Sequence, residues 1–152
     1  MPDAPERTLW RISNYATLDG TGGLHVSGRW HTRGRVIFHC SEHPAGALTE
    51  MLVHLDREEM PDTFRLLRIA VRETAPLQRL QESDLPANWR SDVTMARALG
   101  DAWLASRTSL LLDVPSALVP FSRNILVNPQ HAAISEARIV ETLKVPLDPR
   151  FA

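Results

Sequence analysis

The sequence predicts an α+β fold: a mainly antiparallel β-sheet core with flanking helices. Two observations predict it. Short β-rich runs outnumber helical runs, and the two do not alternate in the strict order a doubly wound parallel sheet requires.

Residues 8–12, "TLWRI", read as a short first strand. A glycine-rich loop follows, "LDGTGGLHVSGRW", in which Gly20, Gly22, Gly23 and Gly28 permit unusual backbone angles. Residues 35–40, "RVIFHC", are β-rich and form the second strand. Ser41 then suits an N-cap, and Pro44 falls in the first turn, where its missing N–H costs little. Ala45, Leu48, Met51, Leu52 and Leu55 recur at helical spacing, which predicts an amphipathic helix over residues 44–56. "TFRLLRIAVR", residues 63–72, alternates well enough for a strand. "PLQRLQESDLPANWR" is polar, broken by Pro76 and Pro86, and reads as loop. Residues 92–106 predict a second helix, with Asp92 as cap and Gly100 as a tolerated weak point. Late strands are expected at 109–114 and 137–145, separated by the proline-bearing loop "PSALVPFSRNILVNPQH".

A chain of 152 residues with no internal repeat or long linker is expected to form a single domain over 1–152. Its 43% apolar and 23% charged residues are ordinary globular composition. Formal charge is -1, from 17 Lys and Arg against 18 Asp and Glu. That near-neutral balance argues against gripping a nucleic-acid backbone unaided. Lys144 is the only lysine, so the cations are almost all arginine, the residue that forks onto carboxylates and phosphates. A GC-rich genome accounts for the same bias. One cysteine excludes an internal disulfide and a multi-cysteine zinc site. "MPDAPERTLW" has no apolar signal region and "LLLDVPSALVPF" is too short to span a bilayer, so a cytoplasmic protein is expected.

The chemistry concentrates in residues 28–54, "GRWHTRGRVIFHCSEHPAGALTEMLVH". His39, Cys40, His43, Glu50 and His54 are metal-ligand types, but no H-E-x-x-H or C-x-x-C spacing is present, and the strand neighbours His39 and Cys40 point to opposite faces. No metal is expected. The glycine loop lacks G-x-G-x-x-G spacing and leads to a strand, so neither the Rossmann nor the P-loop mechanism applies. Cys40, Ser41 and Ser116 are nucleophile types outside any G-x-S-x-G context. What remains is Arg11, Arg29-Trp30, His39 and Glu50. Such a set suits an anionic, sugar-containing ligand: arginine holds phosphate, a ring stacks on a base, and a carboxylate offsets positive charge on ribose. A surface arginine and a water-facing helix glutamate are the plainer alternative.

The segments "LWRIS", "SGRWHTRGRVIFHCSEHPAGALTEMLVHL", "LDVPSALVP" and "RNILVNPQH", in this order and spacing, resemble the RES domain family across nearly the whole chain. The resemblance implies an ADP-ribosyltransferase-like fold and a toxin of a toxin–antitoxin pair that depletes NAD+ by hydrolysis or phosphorolysis. It also admits ADP-ribosylation of a protein. It places the family arginine, glutamate and serine on Arg11, Glu50 and Ser116, with Arg29, Trp30, His39, His54 and Asn124 beside the ligand. Many members carry tyrosine where this chain has His39; a histidine keeps a flat ring but is smaller and titrates near neutral pH. NAD+ is then the substrate, and the partner an Xre-type antitoxin in a hetero-oligomer, covering the pocket and making any DNA contact itself. A homodimer is a further option, and a membrane partner is not expected. Water, phosphate and a protein side chain all stay open as the nucleophile. A non-catalytic module that only binds the repressor is the alternative from a different class.

Overall fold

The computed structural model describes residues 4–151. One seven-stranded sheet forms the core, built from β1 (Glu6–Ile12), β2 (Phe38–Ser41), β3 (Thr63–Arg72), β4 (Leu77–Arg79), β5 (Leu111–Pro115), β6 (Arg123–Val127) and β7 (Ala137–Pro146). Their order is β4-β5-β6-β2-β1-β3-β7, and every pairing is antiparallel except β4 with β5. Two helices flank it, α1 (Pro44–Val53) and α2 (Thr94–Ser106). The α+β, mainly antiparallel architecture is the one expected.

Alternation along the strands splits the core in two. Leu9, Phe38, Cys40, Leu67, Ile69, Leu111, Ile125 and Val127 fill one side of the sheet, closed by Ala133 and Ile134 from a 3-10 turn. Leu112, Val114 and Leu126 face the other side, against Ala96, Trp103 and Leu104 of α2 and the paired rings of Trp30 and Trp89. A sheet covered on both faces needs apolar residues at consecutive positions, which explains the unbroken burial of β5.

Two strands were not visible in the sequence. β6 lies inside the expected loop between Pro115 and Pro129, and β4 inside the polar stretch after Pro76. β6 is central, paired with both β2 and β5, so its discovery decides where Asn124 sits. The first helix ends at Val53 rather than residue 56. Ser41 is not its cap: that position belongs to His43, whose side chain makes no capping bond. The second helix begins at Thr94 rather than residue 92, and its N-cap position belongs to Val93, not Asp92; Asp92 accepts from the backbone N–H of Thr94 from one residue further out.

Gly100 is a requirement of packing, not a tolerated weakness. A Cβ there would lie 1.6 Å from the carbonyl oxygen of Trp30, so its absence lets α2 meet the 28–37 segment backbone to backbone. Asp101, one residue on, accepts from both the backbone N–H and the hydroxyl of Thr32, pinning the same segment to the helix. α2 thereby fixes the segment that carries Arg29.

Candidate active site

Glu50 lies on the second turn of α1, half-buried, where its carboxylate reaches the start of β6 and the residue just past β5. The Asn124 amide donates to Glu50 Oε1 at 2.8 Å, and Ser116 Oγ lies 3.4 Å from the same oxygen. Ser41 Oγ in turn donates to Asn124 Oδ1 at 3.1 Å. That last bond occupies the amide oxygen and so directs the N–H side of Asn124 toward the carboxylate. Register explains the grouping: Ser41 pairs with Asn124 and Asn124 with Val114, two residues before Ser116. The strand ends line up, and their same-face side chains converge under one helix. Gly46 gives α1 its close approach, since a Cβ there would sit 3.1 Å from Ser41 Oγ.

Both hydrogen bonds to the carboxylate fall on Oε1, and Oε2 has no protein partner among the described residues. The cleft beside it holds about 450 Å³ and is lined by Ser41, Glu50, Ser116, Phe121 and Asn124 among others. A larger cavity of about 620 Å³, between the 32–36 turn and the end of α2, shares none of these residues.

Arg29 has Glu50 as its attractive ionic neighbour and Arg90 and Arg97 as repulsive ones. Burial first, then those two arginines, lower its pKa from the ordinary guanidinium value, while Glu50 acts against them. Its guanidinium donates to the carbonyls of Trp89 at 2.9 Å and Arg90 at 3.0 Å, so it is held in place and still fully charged. Arg97 donates to the Gly28 carbonyl at 2.8 Å, tying down the residue before it. Arg97 adds positive charge at this mouth, while Arg90 beside it is paired with Glu82, and no sequence motif marked either arginine.

The remaining expected residues fall elsewhere. Arg11 does not join Glu50. β1 and β2 meet at one registered pair, Trp10 with Ser41, and then diverge. Arg11 fills the gap, donating to the His39 carbonyl at 3.1 Å with its guanidinium 5.3 Å from the Phe38 ring centroid. Alternation from the Trp10–Ser41 pair puts it on the side of Cys40, away from Asn124 and Glu50. Its Nε is buried without a partner. Trp30 is also displaced from its expected place: at 3% exposure it is a core residue stacked toward Trp89, with no face open to a ligand. His54 is exposed at the end of α1 and makes no hydrogen bond to Glu50 among the described residues.

His39 is corrected in its chemistry. Burial, then the charge of Arg11 and the neighbouring His31 and His54, push its pKa down to about 3. It is therefore a neutral ring at neutral pH, not a titrating one, and carries no charge toward a ligand. Cys40 is a core thiol whose pKa burial raises to about 12, which removes it as a nucleophile. Among the described residues no three His, Cys, Asp or Glu side chains are grouped to hold a metal.

Fold and site together define a class: an antiparallel α+β domain whose helix-borne carboxylate is held at one oxygen and open at the other, beside a cationic mouth. The comparisons narrow it. Residues 8–148 match the RES domain, and the chain belongs to that family. It is 46% identical over 136 residues to Toxin Res of Pseudomonas putida, covering 86% of this chain and 90% of that one. It is 36% identical over 148 residues to Toxin Res of Yersinia enterocolitica, covering 95% and 97%. A more distant relative, the Prs ADP-ribosylating toxin of Sphingobium, is 29% identical over 95% of this chain and 96% of its own. The fold is similar to one in the crystal structure of the M. tuberculosis MbcT–MbcA toxin–antitoxin complex, with a TM-score of 0.76 at 14% identity over 94% of this chain and 86% of that one.

Proposed function

We propose that this protein is the toxin of a toxin–antitoxin pair and that it consumes NAD+ by cleaving the bond between nicotinamide and ribose. The observation that carries the reading is the Glu50 carboxylate, which lines the cleft with Oε1 held by Asn124 and Ser116 and Oε2 without a protein partner among the described residues. The relatives named Toxin Res support the toxin role, and the toxin–antitoxin complex of similar fold supports an antitoxin partner. The partner is an Xre-type repressor that covers the cleft and supplies any DNA contact.

The scissile N-glycosidic bond needs little acid catalysis, because nicotinamide leaves neutral from a cation. What the reaction needs is negative charge beside the ribose as it becomes oxocarbenium-like. Glu50 provides that charge and accepts from a ribose hydroxyl through Oε2. Arg29, fixed by two carbonyls, attracts the pyrophosphate. Ser116 steadies the carboxylate and so does Asn124. Arg11 acts indirectly, holding the His39 carbonyl where β1 and β2 part. Hydrolysis, with water as nucleophile, is the first reading and phosphorolysis uses the same half-reaction.

A second reading has its own support. The Sphingobium relative is named an ADP-ribosylating toxin, and transfer to a protein side chain shares everything up to the nucleophile. Product identity separates the three. Antitoxin-free protein incubated with NAD+ is expected to yield ADP-ribose in any buffer. Appearance of the 1″-phosphate in phosphate buffer assigns phosphorolysis, and label retained on a target protein from lysate assigns transfer. Intact NAD+ in all three arms overturns the proposal.

A further inference from the structure

We infer that Phe121 supplies the aromatic surface of the cleft, its ring covering the planar heteroaromatic group of a nucleotide whose ribose lies at Glu50. The inference rests on the NAD+ reading and assigns a role that Trp30 and Trp89 cannot take, because both are buried in the core at 3% and 1% exposure.

Phe121 stands out on three counts. Its side chain is entirely exposed, at 104% of the reference area, more than any other large apolar side chain among the described residues. Its backbone is left-handed, φ 68, which non-glycine residues other than Asn and Asp seldom adopt. It also lines the cleft that holds Glu50. The turn explains the backbone. The N–H of Ser122 donates to the Val119 carbonyl at 3.2 Å, with Pro120 and Phe121 between them. Proline at the second position and positive φ at the third is the type II pattern, where glycine is the default third residue. A phenylalanine there is both strained and exposed, and neither folding nor solubility gains from it. Strained residues that persist in this way cluster at ligand clamps.

The turn is also tied to the carboxylate. Ser116 Oγ, which contacts Glu50, accepts from the backbone N–H groups of Leu118 at 3.1 Å and Val119 at 3.3 Å, and the Ser116 N–H donates to the Ser122 carbonyl at 2.9 Å. One serine thus sets the turn and touches the carboxylate, so the backbone that carries Phe121 is tied to the same residue as Glu50.

The test compares Phe121→Ala, Phe121→Leu and Phe121→Tyr with the parent, using the KM for NAD+ and calorimetric affinities for ADP-ribose and nicotinamide mononucleotide. Ala and Leu are expected to raise KM roughly tenfold, the scale of one base–aromatic stack, with kcat within about threefold and Tyr close to the parent. Loss of affinity for ADP-ribose assigns the ring to adenine; loss for the mononucleotide assigns it to nicotinamide. Phe121→Gly is expected to show the same loss of affinity with a raised Tm, which separates ring from folding. Unchanged KM and affinities in Phe121→Ala overturn the inference and leave the ring to a protein partner. Leu performing as well as Phe also overturns it, since apolar cover without a ring then suffices. A parent that neither binds nor consumes NAD+ overturns the NAD+ reading itself, and this assignment with it.

Discussion

Replacing Asn124 with aspartate exchanges the donor at 2.8 Å from Glu50 Oε1 for a second carboxylate of the same shape. Two effects add. The charge-assisted bond is lost, at about 1.5–3 kcal/mol. Two carboxylates about 4 Å apart then repel by about 4 kcal/mol at an effective dielectric of 20, which corresponds to about three pH units of altered proton affinity. The pair therefore keeps one shared proton into the neutral range, and the charge offered to ribose is partly neutralised. Nicotinamide release by Asn124→Asp is expected to fall by about 10² or more at pH 7 and to recover partly as pH rises. Stability runs the opposite way with pH. The folded pair binds more protons than the unfolded chain between about pH 4 and pH 7, so the variant loses stability relative to the parent as pH climbs through that window. The assay is kcat against pH from 5.5 to 9, with Tm at pH 5 and pH 8. A kcat within threefold of the parent at pH 7, with a Tm difference independent of pH, refutes the claim that the Asn124 amide supports the Glu50 carboxylate.

Other residues give independent checks. His39 is held at a pKa of about 3, below its unfolded value, so its contribution is complete above about pH 6.5 and declines as pH falls. The parent should lose about 2 kcal/mol from this group between pH 7 and pH 5, and urea titrations of His39→Phe should show a correspondingly shallower acid slope. Gly100→Ala drives a Cβ into the Trp30 carbonyl and should destabilise by about 3 kcal/mol, near a 10 °C drop in Tm by calorimetry; a drop under 2 °C contradicts the close packing. Cys40 should resist alkylation at pH 8 until denaturant is added, since burial holds its thiol protonated with a pKa of about 12.

Much of this fold was legible in the sequence because periodicity and caps act locally. β3 coincides with the expected 63–72, and α1 begins at the expected Pro44. β6 was hidden because a central strand covered on both faces shows no alternation, and "RNILV" is bracketed by prolines at 120 and 129. Ser41 was misread for a related reason. A serine before a helix has a good local explanation as a cap, whereas its bond to Asn124 spans 83 positions. Glu50 and Ser116 were named as neighbours, through resemblance, and they do meet. Arg11 and Trp30 are assigned by the same resemblance and lie apart: Arg11 faces the gap between diverging strands because of a register that no short motif encodes, and Trp30 is buried by the packing of its turn on α2 and Trp89. Arg97 and Phe121 had no signal: an arginine on a helix and a phenylalanine in a loop are ordinary until the site they border is assembled.

The central claim is that the Glu50 carboxylate drives loss of nicotinamide from NAD+. Its most direct test is nicotinamide release by purified, antitoxin-free protein beside Glu50→Gln, with ADP-ribose affinity measured for both. The account predicts release by the parent, a loss of about 10²–10³ or more in the variant, and ADP-ribose affinities within a few-fold of each other. Equal release by the two proteins contradicts it.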